Sequence, residues 1–278
     1  MANYVLYNPK ANGGNSLNSV KALMVVLDDK STLIDVFKIT SYERFFNGLN
    51  KNDKVIICGG DGTLNKFVNN IKDIKIDLEV YYFPCGTGND FYKDVKVKDE
   101  ELILINDLIK NLPTVKVNDK EYKFINGVGY GIDGFCCAEG DILNEKGKKA
   151  NYTNIAIKGL LYKYKPCDAK VTVDGVEYNY KKVWLAPTMY GKYYGGGMIP
   201  APIQNRGDDK VSVMLFHGSN KLKTLMVFPK IFKGEHVKCK KHVAVHSGKN
   251  IKVEFSTKKP CQIDGETILD VTSYEVNR

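Results

Sequence analysis

Three glycine-rich loops are the segments of this sequence best suited to hold a phosphate group, and each directly follows a short apolar run. The loops cover residues 7–14, 59–63 and 84–90. Glycine lets the backbone approach a ligand closely and adopt positive φ, and a helix that starts there points unpaired N–H groups at the ligand. One such loop fits an ordinary turn equally well, but three at matching positions predict a shared phosphate site.

Asp61 stands between glycines at a predicted helix start. An acidic side chain that faces a polyphosphate repels it unless a cation lies between them. Thr63 adds a hydroxyl two residues later, so the pair favours a role in holding Mg²⁺ or orienting phosphate, with a helix cap as the alternative. The chain has no Gly-x-x-x-x-Gly-Lys-Ser/Thr motif, and no Gly-x-Gly-x-x-Gly motif in the Rossmann position. These absences argue against P-loop enzymes and dinucleotide-dependent oxidoreductases.

A second pair of carboxylates, Asp264 and Glu266, flanks Gly265 near the end of the chain. A carboxylate in such a position could act as a proton acceptor in catalysis. Read alone, however, Asp-Gly is more often simply a hairpin turn. The residues by themselves leave both interpretations open.

The elements that must position these residues alternate between strands and helices in the first half of the chain. Buried strands are predicted at residues 4–7, 34–39, 54–58 and 78–83. Helices are predicted at residues 16–29, at about 41–49, on the apolar face 64–71 and on the apolar face 102–109. This alternation predicts an α/β domain with a parallel sheet and helices on both faces. The three loops then meet at the carboxyl edge of the sheet, where ligands bind in such folds.

After Pro113 the pattern changes to alternating strands and tight turns. Residues 114–124 carry Asn118-Asp119 between extended stretches, residues 170–178 carry an Asp-Gly turn, and one helix is predicted at 221–232. These signals predict a mostly antiparallel β-sandwich. We therefore expect domains at 1–113 and 114–278, with the last residues able to return to the first domain and the chemistry in a cleft between them.

Composition narrows the class of protein. Lys and Arg total 41 against 32 Asp and Glu, a formal charge of +9, which favours anionic partners. No apolar run is long enough to span a membrane, and the N-terminus does not read as a signal peptide. The seven cysteines are scattered along the chain and include no Cys-x-x-Cys pair, as expected for reduced thiols in a cytoplasmic protein. Lysines are not interleaved with aromatic residues, so no nucleic-acid partner is expected.

Residues 59–65 (GGDGTLN) and 86–91 (GTGNDF) resemble the diacylglycerol kinase catalytic domain of bacterial soluble lipid kinases. Sphingosine and ceramide kinases belong to the same family, and NAD kinases are more distantly similar. The resemblance extends over nearly the whole chain, including Gly195-Gly196-Gly197 and the Asp-Gly-Glu element at 264–266. It implies an ATP- and Mg²⁺-dependent kinase that transfers the γ-phosphoryl group to a lipid hydroxyl, of diacylglycerol or a related lipid.

The resemblance also implies roles for matching positions. The general base would be Asp264 or Glu266, and a structural Mg²⁺ would be held by Asp209 with the backbone carbonyls of Arg206 and Val211. The implied ATP-binding residues are Asn8, Pro9, Lys10, Ala11, Asn12, Thr40, Gly60, Asp61, Gly62, Thr63, Leu64, Asn65, Lys66 and Thr87.

Three lysines depart from the family pattern. Lys66 stands where glutamate is usual, Lys93 where arginine is frequent, and Lys210 where glycine is usual. Lys66 could alter helix pairing or the metal arrangement near ATP, and Lys210 could affect the binding of the structural Mg²⁺.

Two other functions remain as alternatives: a kinase for a soluble acceptor such as NAD, and a non-catalytic lipid or nucleotide sensor on the same fold. A lipid acceptor implies reversible contact with an anionic membrane surface and a cytoplasmic, peripherally associated protein. The candidate contacts are the basic run 230–241 and the apolar face Leu222, Leu225, Met226 and Phe232. A homodimer is possible.

Overall fold

The computed structural model describes residues 1–27, 30–96, 101–148 and 150–278, without the side chain of Asn12. The chain divides into two compact units, Met1–Leu112 and Pro113–Arg278. Each unit has its own sheet and core. Asp29, the last residue of the predicted first helix, lies outside the described residues.

The first unit is built on a five-stranded sheet in the order β2-β1-β3-β4-β5. The first four strands pair in parallel, and β5 runs antiparallel to β4. This arrangement confirms the predicted α/β domain. The strands are β1 Asn3–Tyr7, β2 Ser31–Asp35, β3 Lys54–Gly59, β4 Glu79–Pro84 and β5 Ile103–Leu104.

Five α-helices accompany this sheet in the part of the unit that the structure describes. Val20 and Leu23 of the first helix pack with Val5 and Ile56 of the sheet in one buried cluster, so the apolar face found in the sequence is the core face. The helices are α1 Ser16–Val26, α2 Tyr42–Asn47, α3 Asp61–Asn70, α4 Asp90–Val95 and α5 Asn106–Lys110.

Two of the boundaries that differ from the prediction in the first unit have a visible cause. The second strand ends at Asp35, because the Asp35 carboxylate accepts a hydrogen bond from Phe37 N and starts a 3₁₀ turn at Val36–Lys38. The predicted helical face at 102–109 is shared between β5 and the short α5, because Ile103 and Leu104 pair with β4. The sequence did not predict α4. The first turn of this helix is capped by Asp61, which belongs to the second glycine-rich loop.

The second unit is a ten-stranded antiparallel sheet in which the main path runs β13-β12-β11-β8-β14-β15-β6-β7. β9 lies beside β14, and β10 lies beside β9. The last strand pairs with β6, so the end of the chain lies in this unit. The strands are β6 Thr114–Val117, β7 Lys120–Lys123, β8 Gly127–Tyr130, β9 Cys167–Val173, β10 Val176–Val183, β11 Thr188–Met189, β12 Val211–Phe216, β13 Val243–Gly248, β14 Asn250–Ile263 and β15 Glu266–Asn277.

Both predicted hairpins form. Asn118 and Asp119 have φ of 47° and 62° between β6 and β7, and Asp174 and Gly175 have φ of 47° and 85° between β9 and β10. Positive φ at both central residues is what a two-residue type I′ turn requires. Local turn chemistry therefore set these two registers.

The prediction of a single helix in the second half is wrong. α6 Ile132–Glu145 and α7 Tyr152–Lys158 precede α8 Lys221–Val227, and a π-helical turn, Gly159–Lys163, follows α7. Gly140 obscures the pattern of α6, yet it is needed there, because a Cβ would lie 2.7 Å from Cε1 of Tyr152. The predicted helix 221–232 changes to 3₁₀ helix at Phe228–Lys233, where Pro229 supplies no N–H. Among the described residues, no helix has the length and apolar character needed to cross a membrane.

Candidate functional site

The three glycine-rich loops of the first unit are joined by direct hydrogen bonds. Asn8 Nδ2 donates to Thr63 Oγ1 at 2.9 Å, which links the first loop to the second. Asp61 N donates to Gly88 O at 3.0 Å, which links the second loop to the third. The structure therefore brings the three loops together at the carboxyl ends of β1, β3 and β4, the edge at which open parallel sheets bind ligands.

Glycine is required where the second and third loops touch. A Cβ on Gly86 would lie 2.4 Å from the Cα of Gly60, and a Cβ on Gly60 would lie 2.7 Å from Gly88 O. These are backbone atoms that cannot rotate away. The glycines therefore permit close packing of one loop on the other, which the sequence had interpreted as room for a ligand.

The Asp61 carboxylate caps the helix α4. Its Oδ2 accepts from Asp90 N at 2.8 Å, and its Oδ1 accepts from Phe91 N at 2.9 Å. Both donors lie in the first turn of α4, where backbone N–H groups lack helical partners. The capping alternative is thus present in the structure, for a helix that the sequence did not predict. A role of Asp61 toward Mg²⁺ stays a prediction.

The other predicted ATP-binding residues fall into two groups. Leu64 is fully buried in the core, and the side chains of Thr63 and Asn65 are buried as well. The second group consists of exposed or half-buried residues: Asn8, Pro9, Lys10, Ala11, Thr40, Gly60, Gly62, Lys66 and Thr87. The side chain of Asn12 lies outside the described residues. The Leu64 side chain cannot contact a bound nucleotide, so any contact there is through its backbone.

In the second unit, Asp264 sits in the two-residue turn that joins β14 to β15, with φ of 46°. Its carboxylate accepts three backbone hydrogen bonds, from Ile125 N at 2.6 Å, Asn126 N at 2.8 Å and Gly127 N at 2.9 Å. Accepting a proton would cost this carboxylate part of that network. Asp264 therefore fastens the turn to the strand entry at 125–127.

Glu266 is the first residue of β15, two positions after Asp264, and its side chain is exposed. The turn that carries it is held a second time, because Gly265 N donates to Oε1 of the buried Gln262 at 2.7 Å. The two carboxylates that the sequence could not rank thus differ physically. Asp264 is engaged by backbone donors, and Glu266 is the exposed carboxylate on the rigid turn.

Sequence reasoning missed the side chain of Arg206 as part of this arrangement. The guanidinium donates to Ile125 O and, at 2.6 Å, to Asn126 Oδ1, and it lies over the Tyr190 ring at 5.3 Å. It therefore holds from another side the same segment that Asp264 holds. The contact joins residues 80 positions apart in the chain, and no local pattern signals it.

Comparisons with known proteins assign both parts of the chain to described families. Residues 3–117 match the family described as the diacylglycerol kinase catalytic domain. Residues 126–275, more than half of the chain, match the family described as the YegS C-terminal NAD kinase beta sandwich-like domain. The chain belongs to the diacylglycerol kinase family. It is a lipid kinase of that type, which confirms the resemblance seen in the two glycine motifs.

The lipid kinase has relatives in several bacteria. A diacylglycerol kinase of Mycobacterium tuberculosis (strain ATCC 25618 / H37Rv) is 24% identical over 210 residues, which cover 73% of this chain and 67% of the relative. A diacylglycerol kinase of Bacillus subtilis (strain 168) is 24% identical over 221 residues, covering 77% and 71%. A crystal structure of a diacylglycerol kinase from Bacillus anthracis str. Sterne aligns with a TM-score of 0.63 at 17% identity, over 100% of this chain and 94% of that one. The structural match shows the shared fold.

In the lipid kinase, the loop for which the resemblance implies a structural Mg²⁺ already has other partners. The Asp209 carboxylate is 71% exposed and contacts Lys249 Nζ at 2.7 Å, and this lysine lowers the pKa of Asp209. The amide of Gln204 donates to the carbonyls of Asn205 and Lys210, at 3.1 and 3.0 Å. An ammonium and an amide thus satisfy oxygens of the loop, and among the described residues no group of three His, Cys, Asp or Glu side chains could hold a metal. Asp209 thus has an ammonium partner, and a structural Mg²⁺ held by Asp209 with the backbone carbonyls of Arg206 and Val211 stays a prediction.

We expect no effect of Mg²⁺ on the thermal stability of the nucleotide-free protein, because Lys249 already neutralises Asp209. The measurement compares Tm in EDTA and in Mg²⁺ by differential scanning fluorimetry, with Asp209→Asn as the matched variant. A ligand that binds the native state must raise Tm. A rise with Mg²⁺ alone that Asp209→Asn abolishes would show that the metal site exists.

A buried carboxyl lies close to the Asp264 turn. Asp133 is in the first turn of α6, its Oδ1 accepts from Gly134 N at 2.9 Å, and burial raises its pKa to about 6. Gly129 must lack a side chain, because a Cβ there would lie 1.6 Å from Asp133 Oδ2 and 2.5 Å from Gln262 Nε2. The carboxyl and Gln262 therefore pack together beneath the turn that Gln262 holds.

Replacing Asp133 by asparagine should change how stability depends on pH. The native carboxyl binds a proton between its unfolded pKa of 3.8 and about 6, so it lowers the free energy of unfolding as pH rises through that window. Asparagine carries no such proton, and the variant should be more stable than wild type by up to about 3 kcal/mol at pH 7.5 but not at pH 4. Urea unfolding at both pH values measures this, with the exposed Asp141→Asn as control. A difference that does not depend on pH would contradict it.

Proposed function

We propose that this lipid kinase transfers the γ-phosphoryl group of MgATP to a lipid hydroxyl, of diacylglycerol or a related lipid. The observation that carries the proposal is the joining of the three glycine loops through the Asn8–Thr63 and Asp61–Gly88 hydrogen bonds. Joined loops at the carboxyl edge of a parallel sheet suit the binding of a triphosphate. The catalytic-domain match at residues 3–117 supports the same location.

Glu266 is the general base in this proposal. It takes the proton from the acceptor hydroxyl as the new P–O bond forms, and the bond between the γ-phosphorus and the bridging oxygen breaks to release ADP. Asp264 acts on Glu266 through the backbone, since it fixes the turn by accepting hydrogen bonds from residues 125–127. The magnesium enters with ATP as part of the substrate.

The second unit has room for an apolar acceptor. A cavity of about 390 Å³ is lined by α6, α7 and the π-helical turn, with Phe135, Leu143 and Ile155 among its walls. Lys158 and Lys163 also line it. These three apolar side chains stand beside five polar or charged ones, among them Lys163 paired with Glu139 at 2.6 Å, a mixture that suits a lipid with a polar headgroup.

Such a substrate pair places the enzyme where ATP and membrane lipid meet. We infer a cytoplasmic protein that associates peripherally and reversibly with an anionic membrane surface.

The test is phosphorylation of a panel of acceptors with labelled ATP: diacylglycerol, monoacylglycerol, a sphingoid base and NAD. We expect label in a lipid, dependent on Mg²⁺, and none in NAD. Transfer to NAD alone would favour the soluble acceptor. ATP binding by calorimetry without transfer to any acceptor would overturn the proposed reaction.

A further inference from the structure

The net positive charge of the chain is confined to two segments of the second unit, residues 152–165 and 219–242. Together they hold ten lysines and one glutamate, which equals the formal charge of +9 of the whole chain. Everywhere else, basic and acidic residues are equal in number. Such segregation creates a strong local field on an otherwise balanced protein.

These two segments form one surface, which we call the lysine face. Lys221 Nζ, at the start of α8, donates to Leu161 O in the π-helical turn at 2.7 Å. Beneath them, Leu160 of the first segment and Val227 and Ile231 of the second belong to the same buried cluster. The two segments therefore share one packed platform, on which all ten lysines are exposed and Lys163 pairs with Glu139 of α6 at 2.6 Å.

Large apolar side chains project from the lysine face. Tyr162 is 78% exposed, Leu222 71%, Met226 62% and Phe232 47%. Leu222 and Met226 are four residues apart on α8, so they share one helical face. Leu225, which the sequence grouped with them, is instead partly buried against the core. Exposure of apolar side chains to water is unfavourable, and an apolar patch with a charged rim is typical of a binding surface.

We propose that the lysine face docks this protein onto anionic phospholipid bilayers. The lysines contact lipid phosphates, and the four exposed side chains enter the apolar edge of the bilayer. A nucleic acid would satisfy the lysines but offers no apolar phase to Leu222 and Met226. The inference is based on charge and on side-chain exposure. It rests on the proposed function in one respect only, namely that docking gives the enzyme access to a lipid in the membrane.

Vesicle co-sedimentation of the full chain without nucleotide tests docking separately from turnover. The vesicles are phosphatidylcholine alone, or phosphatidylcholine with an equal part of phosphatidylglycerol. We expect binding to the anionic vesicles only, weakening steeply with salt. Failure of the kinase reaction would leave this result untouched.

Two double variants separate the charged and the apolar contributions. Lys223→Glu with Lys230→Glu should weaken binding at least about tenfold, and Leu222→Ser with Met226→Ser should weaken it at every salt concentration. The matched control, Lys116→Glu with Lys120→Glu on the β6–β7 hairpin, should bind as wild type does.

Three results would overturn the docking proposal: equal binding to both vesicles, no binding, or an equal loss in the control. DNA binding that the Leu222/Met226 variant leaves unchanged would assign the face to a polyanion instead. Activity on short-chain diacylglycerol in solution should survive both variants, whereas activity on vesicles should fall with binding.

Discussion

Replacing Glu266 by glutamine should lower the turnover number for lipid phosphorylation by about 10²- to 10⁴-fold, the usual contribution of a general base. Glutamine keeps the size and the exposed position but cannot take the acceptor proton. Because the turn is fixed by Asp264 and Gln262, we expect an unchanged Tm and an unchanged Kd for MgATP. Steady-state kinetics, scanning fluorimetry and calorimetry on one preparation measure all three quantities.

Asp264→Asn is the informative contrast. Asparagine has one acceptor oxygen for three backbone donors and turns its NH₂ toward them, and each donor left unpaired costs about 1–3 kcal/mol. We expect this variant to lose stability in urea unfolding, with any loss of turnover following from a displaced turn. Glu121→Gln, an exposed glutamate on β7, serves as control and should change neither property. Full turnover in Glu266→Gln would remove Glu266 from the mechanism.

Replacing Gly86 by alanine should weaken MgATP binding at least about tenfold and lower Tm. The new Cβ would lie 2.4 Å from Gly60 Cα and 2.5 Å from Gly60 N, so the two loops must separate, and overpacking of this kind costs about 1–3 kcal/mol. Equilibrium titration with MgATP and thermal unfolding measure the two effects.

Gly88→Ala in the same loop is the control for that change. A Cβ at Gly88 meets only Asp61 Oδ2, at 3.4 Å, which is ordinary contact. We expect nearly wild-type binding and stability. If Gly86→Ala folds and binds MgATP as tightly as Gly88→Ala, then close contact between the loops is not what forms the nucleotide site.

The fold of the first unit could be predicted from the sequence because the patterns that define it lie within short stretches of the chain. Strand–helix alternation and glycine after each strand define where the loops lie, and the parallel pairing of β1, β3 and β4 brings them together. The Asn118-Asp119 and Asp174-Gly175 turns were equally predictable, since positive φ selects for these residues.

The chemistry of individual carboxylates did not follow from the sequence, because it depends on partners far along the chain. Asp61 caps a helix 29 residues away, and Asp264 binds backbone groups more than 130 residues earlier. Lys249, which pairs with Asp209, comes from another turn of the sheet. Tertiary packing decides such pairings, and a Gly-Gly-Asp or Asp-Gly motif gives no indication of them.

The helix α6 was not predicted, for a different reason. Gly134 and Gly140 weaken the helical pattern of α6, but each makes room for a neighbour that comes from elsewhere in the fold. A Cβ on Gly134 would lie 2.1 Å from Pro260 O. Close approach of α6 to β14 thus favours residues that reduce helix propensity.

The most direct test of the central claim is a single turnover with labelled ATP prebound to excess enzyme and dioctanoylglycerol added in a rapid-quench instrument. We predict that the γ-label moves to the lipid as a phosphomonoester, with one ADP formed for each lipid product, and that Glu266→Gln retains the ATP but transfers almost none of it. Release of the label as inorganic phosphate, or equal transfer by Glu266→Gln, would contradict the proposed mechanism.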